Sequence, residues 1–295
     1  MDKFPDILHW FDIVDYTEFN SCRKLEVNMK NLASTEINEF CKQFALFICR
    51  LRCPSVDLLL KMENAINGVT GLDMCDKRIL RNIFYTGFIS DARYEETGDY
   101  LKSFDDDGIK GYFGECFYYI LREQIFEDEK VYIEPKLPKN SSKVSGIDFV
   151  DIRKDDEGYY MIIGEVKATE NSYSSRLQKI LDTFTNRIDK TFSEVYQQIK
   201  EKDDGSNAEY TIFLKEMLDL FYRITGDSGR KKRVSGTIYY NFEGKKIDQR
   251  ALSGVKNKLQ GVVRDEAMCR RFKLIGIYDL ENVIEQTRDI IWNVL

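Results

Sequence analysis

A single histidine, His9, serves the whole chain of 295 residues. Ser-His-Asp or Cys-His catalysis and His-rich zinc sites are therefore hard to build, and any hydrolytic chemistry must rest on carboxylates, lysine and a hard metal. His9 itself, beside Trp10, reads as an ordinary packed or surface residue. Missing too is any run of about twenty apolar residues, so nothing is expected to span a bilayer. The opening "MDKFPDILHWFDIVDYTEF" is acidic and amphipathic, without the uninterrupted apolar stretch or small-residue cleavage site of a secretory signal. A cytoplasmic location follows as the expectation. Cysteine is present but not as a framework: residues 22, 41, 49, 53, 75, 116 and 269 are odd in number, scattered, and mostly set in apolar patterns. They read as reduced core thiols.

Charge is unevenly placed. The net value is −6, yet Arg223 to Lys273 holds fourteen Lys or Arg against five Asp or Glu, a local +9 that leaves −15 for the remainder. The densest part, "GDSGRKKRV", sets Arg230, Lys231, Lys232 and Arg233 in a Gly-bracketed loop. Such a loop suits a phosphate backbone, and it equally suits a solvated surface; both readings stay open at this point.

Residues 1–104 read as a mixed, helix-leaning accessory region, with helical spacing in "EINEFCKQFALFICRLRC" and in "CDKRILRNIFYTGFI". The acidic, Gly-containing "TGDYLKSFDDDGIKG" is the best boundary, which makes 105–295 a second domain. That domain opens with a helix over about 111–126, carrying Phe113, Cys116, Phe117, Ile120, Leu121 and Gln124 along one side. A strand, "KVYIEP", comes next, and "SGIDFVDIRKDDEGYYMIIGEVKAT" then reads as two strands around the turn "DDEG".

This hairpin carries three charges among residues suited to burial. With Asp155 to Gly158 as a symmetric loop, paired positions sum to 313 and Asp148 stands opposite Glu165. Directly opposed residues share a face, with Cβ atoms about 5 Å apart. Lys167, two positions on, points the same way. Val150, Ile152, Met161 and Ile163 share that face, while Ile147, Phe149, Ile162 and Val166 occupy the other. Both faces are apolar, as in central strands covered by helices. Two converging carboxylates repel and raise each other's pKa unless a positive charge sits between them. Either Lys167 neutralises them as a structural cluster, or a divalent cation does.

The order helix, strand, strand, strand, helix, strand resembles the core of the PD-(D/E)xK nuclease superfamily over about residues 109–243. The second helix is the amphipathic "SYSSRLQKILDTFTNRIDKTFSEVYQQIKEK" and the last strand is "VSGTIYYNFE". Gly-Ile-Asp stands where the superfamily has Pro-Asp. More narrowly, "GYFGE", "GIDFVDI", "GEVK" and the closing "FKLIGIYDLENVIEQTRDIIWNVL", a strand then a helix, resemble the HamA family of bacterial Hachiman anti-phage systems. That pattern tends to read Glu-Ser-Lys where this chain has Glu-Val-Lys.

The resemblance implies an α/β, restriction-endonuclease-like core: a central mixed sheet flanked by helices, with a helix-leaning N-terminal region and a C-terminal basic extension. It implies a metal-dependent nuclease acting on DNA, working beside a HamB-like helicase subunit. Asp148 and Glu165 become the ligands of Mg²⁺ or Mn²⁺, and the backbone carbonyl of Val166 adds a further oxygen. Lys167 orients the attacking water and offsets charge in the transition state. The superfamily often draws an acidic residue from the first helix, which here is Glu115, although a helical wheel turns it away from the apolar stripe. Gln178 and Lys179 are possible substrate contacts; Asp151 and Glu170 fit no defined role. The alternative from a different class is a catalytically silent nuclease-like scaffold that binds DNA or a helicase. A carboxylate-pair glycosidase is disfavoured by the adjacent lysine and the basic segment.

Overall fold

The computed structural model describes residues 4–19, 22–89, 107–125, 148–155, 158–169, 232–241 and 270–295, with isolated helical positions at 176, 179–180, 200, 208, 211–212 and 215. A short 3₁₀ turn, Ile7–His9, leads into strands β1 (Phe11–Phe19) and β2 (Cys22–Met29). Helices α1 (Ser34–Arg52), α2 (Val56–Ile66) and α3 (Met74–Phe88) follow. Helix α4 is Asp107–Gln124, then come β3 (Phe149–Asp155), β4 (Gly158–Thr169), β5 (Lys232–Asn241), β6 (Arg270–Ile277) and α5 (Leu280–Trp292).

Local sequence explains the helix starts. Ser55 accepts a hydrogen bond from the Leu58 N–H at 3.3 Å, and Asp73 accepts one from Asp76 at 2.8 Å. Each satisfies a backbone donor that an α-helix leaves orphaned. At α1 the Glu36 carboxylate reaches back to the Ala33 N–H at 2.8 Å, half of a capping box.

The six strands form one mixed sheet in the order β1-β2-β6-β5-β4-β3. Strands β2, β6, β5 and β4 run parallel, and β1 and β3 are antiparallel to their neighbours. Helix α4 crosses the face that carries Val166 and Tyr239. Gly114 permits that approach, since a Cβ there would lie 3.0 Å from Val166 Cγ1 and 3.2 Å from Tyr239 Cδ2. Phe117 sits at the centre of this layer, with ring centroids 5.3–5.8 Å from Phe11, Phe40, Phe44 and Tyr239. The opposite face is covered at Gly236 by Ile180, whose Cγ2 would lie 3.1 Å from a Cβ at that glycine. The mixed sheet flanked by helices agrees with the expected restriction-endonuclease-like core.

The boundary expected near residue 104 falls outside the described residues. Both sides of it share a single core: β2 pairs with β6, and Phe11, Phe40 and Phe44 pack with Phe113, Ile284 and Ile291. The helix-leaning N-terminal region therefore also supplies a hairpin to the sheet. The expected closing strand and helix are β6 and α5; β6 lies between β2 and β5, so the stretch read as a basic extension runs into the middle of the sheet. Its Lys273 is buried, with Nζ 4.7 Å from the Tyr118 ring centre and 5.7 Å from that of Phe149. The basic cluster is likewise not one loop. Lys232 and Arg233 open β5, paired with Met161 and Ile162, because β4 is long enough to draw them into the sheet. Arg230 and Lys231, and the expected strand "KVYIEP", lie outside the described residues.

Candidate metal centre

The β3–β4 ladder places the candidate residues. Phe149 pairs with Gly164 and Asp155 with Gly158, so every pair sums to 313 as the symmetric turn requires. Asp148 sits just before β3, its N–H donating to the Gly164 carbonyl at 3.1 Å. Gly164 is demanded by its partner. A Cβ there would overlap the Phe149 ring at 1.7 Å, so the ring lies directly over the glycine. Tyr118 of α4 stacks on that ring with centroids 3.7 Å apart. A glycine inside a strand is the sequence signal for such a close approach.

This packing brings three charges together. The Asp148 carboxylate is buried and accepts the Val166 N–H through Oδ2 at 2.7 Å. Glu165 is also buried, and its carboxyl group is within hydrogen-bonding reach of Asp148. Lys167 Nζ donates to Glu165 Oε2 at 3.1 Å and lies 3.8 Å from Asp148 Oδ2, with the lysine side chain 29% exposed. Burial, the hydrogen bond with Asp148 and the Asp148 charge push the Glu165 carboxyl up to about 8, against a smaller downward pull from Lys167. For Lys167, burial works downward, but Asp148, Glu165 and the more distant Glu115 outweigh it and the net shift is upward.

Val166 contributes its backbone. In a strand the N–H and C=O of one residue leave on the same side, as the exchange of both bonds within a single residue pair shows. The Val166 N–H meets Asp148, so its carbonyl also leaves toward the β3 side. Glu115 is half-buried rather than turned fully away, and its charge is felt at Lys167. Gly114 beside it explains why, since it lets α4 rest directly on Val166. Glu115 does not complete a three-residue cluster: among the described residues, no group of three or more His, Cys, Asp and Glu converges to hold a metal.

The oxygen set fits a hard cation. Burial and the neighbouring Asp148 favour the neutral form of Glu165, a cost that a divalent charge between the two carboxylates would relieve, and Mg²⁺ needs only one or two carboxylates when water and substrate complete its shell.

The HamA family model matches residues 7–290, nearly the whole chain. The chain belongs to the HamA family. Membership ties it to the Hachiman defence setting that its motifs implied, and it extends the family likeness across the N-terminal hairpin and helices, which the motifs alone did not cover. No curated protein matches the chain. Among the described residues of this HamA-family protein, no helix is long and apolar enough to cross a membrane.

A second buried polar group lies three strands away from Lys167. The strand registers put Glu26, Leu274, Ile238 and Lys167 in one row across the sheet. Beside that row Tyr240 donates to Asn28 Oδ1 at 3.1 Å, and Asn28 donates to Glu26 Oε1 at 3.1 Å, all three buried. Lys179 is exposed; Gln178 and Glu170 lie outside the described residues, as does the side chain of Asp151. The sole histidine, His9, is exposed and meets Trp10 edge-on.

Proposed function

We propose that this HamA-family protein is a metal-dependent nuclease that hydrolyses DNA phosphodiester bonds as the effector subunit of an anti-phage complex with a HamB-like helicase. The observation that carries the reading is the convergence of Asp148, Glu165 and Lys167 at the start of one hairpin, two buried carboxylates with a single ammonium beside them. A bound Mg²⁺ or Mn²⁺ would supply Lewis-acid stabilisation of the charge that develops on the phosphate. Asp148 and Glu165 would hold it through carboxylate oxygens, and Val166 through its carbonyl. The Val166 N–H holds the Asp148 carboxylate in place through Oδ2, which would leave its other oxygen for the cation. Lys167 orients the incoming water and offsets negative charge as the oxygen bonds to phosphorus and the leaving-strand oxygen departs with a proton. Glu115 would add a minor share to the field of Asp148 and Glu165 that favours the charged form of Lys167. Arg230, Lys231, Lys232 and Arg233 bind the phosphate backbone, and no histidine takes part.

A scaffold would have no use for a buried carboxylate pair that repels itself, which is why the enzyme reading is preferred over a silent binding module. The test is to supply Mg²⁺ or Mn²⁺ to the purified chain with supercoiled plasmid, with RNA of matched length, and with a HamB-like helicase present or absent, in the presence and absence of ATP. The expected result is cutting of plasmid by the free chain and restraint by the helicase until ATP or a DNA signal releases it. Equal cutting in every condition, or failure to form a complex on size exclusion, rules out the helicase as regulator. No cutting of any nucleic acid rules out the nuclease.

A further inference from the structure

We propose that Lys167 is a built-in competitor for the metal: its ammonium occupies the cation position between the Asp148 and Glu165 carboxylates in the metal-free protein, and leaves it when the ion is loaded. The inference rests on the reading of these residues as a metal centre. Its basis is geometric. Lys167 Nζ is 3.1 Å from Glu165 Oε2 and 3.8 Å from Asp148 Oδ2, so a single positive charge already bridges the two groups a divalent ion would bridge. Mg²⁺ demands oxygen at about 2.0 to 2.1 Å, so an ion bridging the same two oxygens would stand close to the ammonium, and the two positive charges repel. Asp148 Oδ2 also accepts the Val166 N–H at 2.7 Å, so the oxygen nearest the ammonium on that side is already held by the β4 backbone.

The arrangement has a free way out. The lysine side chain is 29% exposed while both carboxylates are almost wholly covered, so the ammonium can swing toward solvent and its partners cannot follow. A four-carbon stem with rotatable bonds makes that motion inexpensive. The same residue then has two positions with two consequences. In the first it stabilises the metal-free site and blocks loading. In the second it is released at the mouth of the site, where water and the scissile phosphate would lie. Loading is thereby coupled to delivery of the lysine, and an enzyme short of metal holds its water-orienting group out of use.

The experiment measures metal binding directly, separate from cutting. Mn²⁺ is titrated at fixed pH into wild type, Lys167→Met and Lys167→Arg, with free Mn²⁺ counted by electron paramagnetic resonance and folding checked by circular dichroism. Lys167→Met keeps the stem and removes the charge, and its affinity should rise roughly tenfold, since a bridging like charge is gone. Lys167→Arg keeps a cation and should gain nothing. A Mn²⁺-loaded crystal of wild type should show Nζ withdrawn from hydrogen-bonding distance of Glu165. Unchanged or weaker binding by Lys167→Met, or a loaded structure that retains the 3.1 Å contact, overturns the proposal while leaving the nuclease reading intact. Absence of Mn²⁺ binding by wild type and both variants takes down the metal centre itself.

Discussion

Glu165→Gln should make the metal-free protein more stable, and increasingly so as the solution becomes alkaline. Gln has the shape of a protonated Glu: its amide can donate to Asp148 while its oxygen accepts from Lys167, the two contacts the wild-type side chain makes. The difference lies in ionisation. Burial and Asp148 raise the wild-type carboxyl from 4.5 to about 8, so the folded state binds a proton that the unfolded chain has already lost. A group raised on folding contributes stability that is complete below the unfolded value and disappears as pH climbs through the folded one. At about 1.4 kcal/mol per pH unit, the shift sets a ceiling of roughly 5 kcal/mol on the advantage of Gln near pH 9, falling below about 1 kcal/mol at pH 5 and vanishing below the unfolded value. Asp148 and Glu165 titrate as a pair, which spreads the change over a wider pH range without altering its sign. Melting of both proteins in chelator from pH 5 to 9 measures it, at roughly 2 °C per kcal/mol for a chain of this size. Saturating Mg²⁺ should then favour wild type alone, by about 2.7 kcal/mol at a hundred times its dissociation constant. Parallel melting curves across the whole pH range would refute the burial and repulsion argued for this carboxylate pair.

Gly164→Ala should be severely destabilising, beyond the ~1 to 3 kcal/mol usual for an overfilled core, because its Cβ would overlap the Phe149 ring; Phe149→Ala in the same chain should restore part of the loss on denaturant titration. Gly114→Val should push α4 away from Val166 and Tyr239, costing about 1 to 3 kcal/mol and lowering Mn²⁺ affinity, read by the same two assays. Neutralising Arg230, Lys231, Lys232 and Arg233 together should flatten the salt dependence of duplex DNA binding, by about 0.9 in log-log slope for each phosphate no longer neutralised. Lys273→Met, by contrast, should lower stability and leave that slope alone, since its ammonium is buried against Tyr118 and Phe149.

The parts of the fold legible in the sequence are those where local rules and burial agree. In the β3–β4 hairpin the turn position sets the register from Phe149–Gly164 to Asp155–Gly158 and a one-residue slip would reverse both faces, so the turn alone brings Asp148, just before β3, to the end of β4 that carries Glu165. Helix α4 is legible from its apolar spacing. Glu115 is harder: a helical wheel gives the direction of a side chain but not how closely a glycine lets the helix approach its sheet, and Gly114 is what keeps Glu115 near Lys167. The N-terminal hairpin is concealed for two physical reasons. In β1 a register shift between Ile13 and Asp15 breaks the alternation that marks a strand. In β2 Leu25, Val27 and Met29 alternate with Glu26 and Asn28, a strand's period-two pattern, but the polar positions suggest a solvated face whereas both are buried and joined by hydrogen bonds with Tyr240. Lys273 misleads in the opposite sense, because a count of positive charges does not distinguish an ammonium held over aromatic rings from one free to meet phosphate.

Whether Asp148, Glu165 and Lys167 form a nuclease centre is decided by cleavage of supercoiled plasmid with four purified proteins side by side: wild type, Asp148→Asn, Glu165→Gln and Lys167→Met, each with Mg²⁺ and each with chelator. A metal centre at these residues predicts nicking and linearisation by wild type in Mg²⁺ only, with each variant folded and slower by at least about a hundredfold. Cutting by wild type in chelator, or near-wild-type cutting by the Glu165 variant in Mg²⁺, would contradict it.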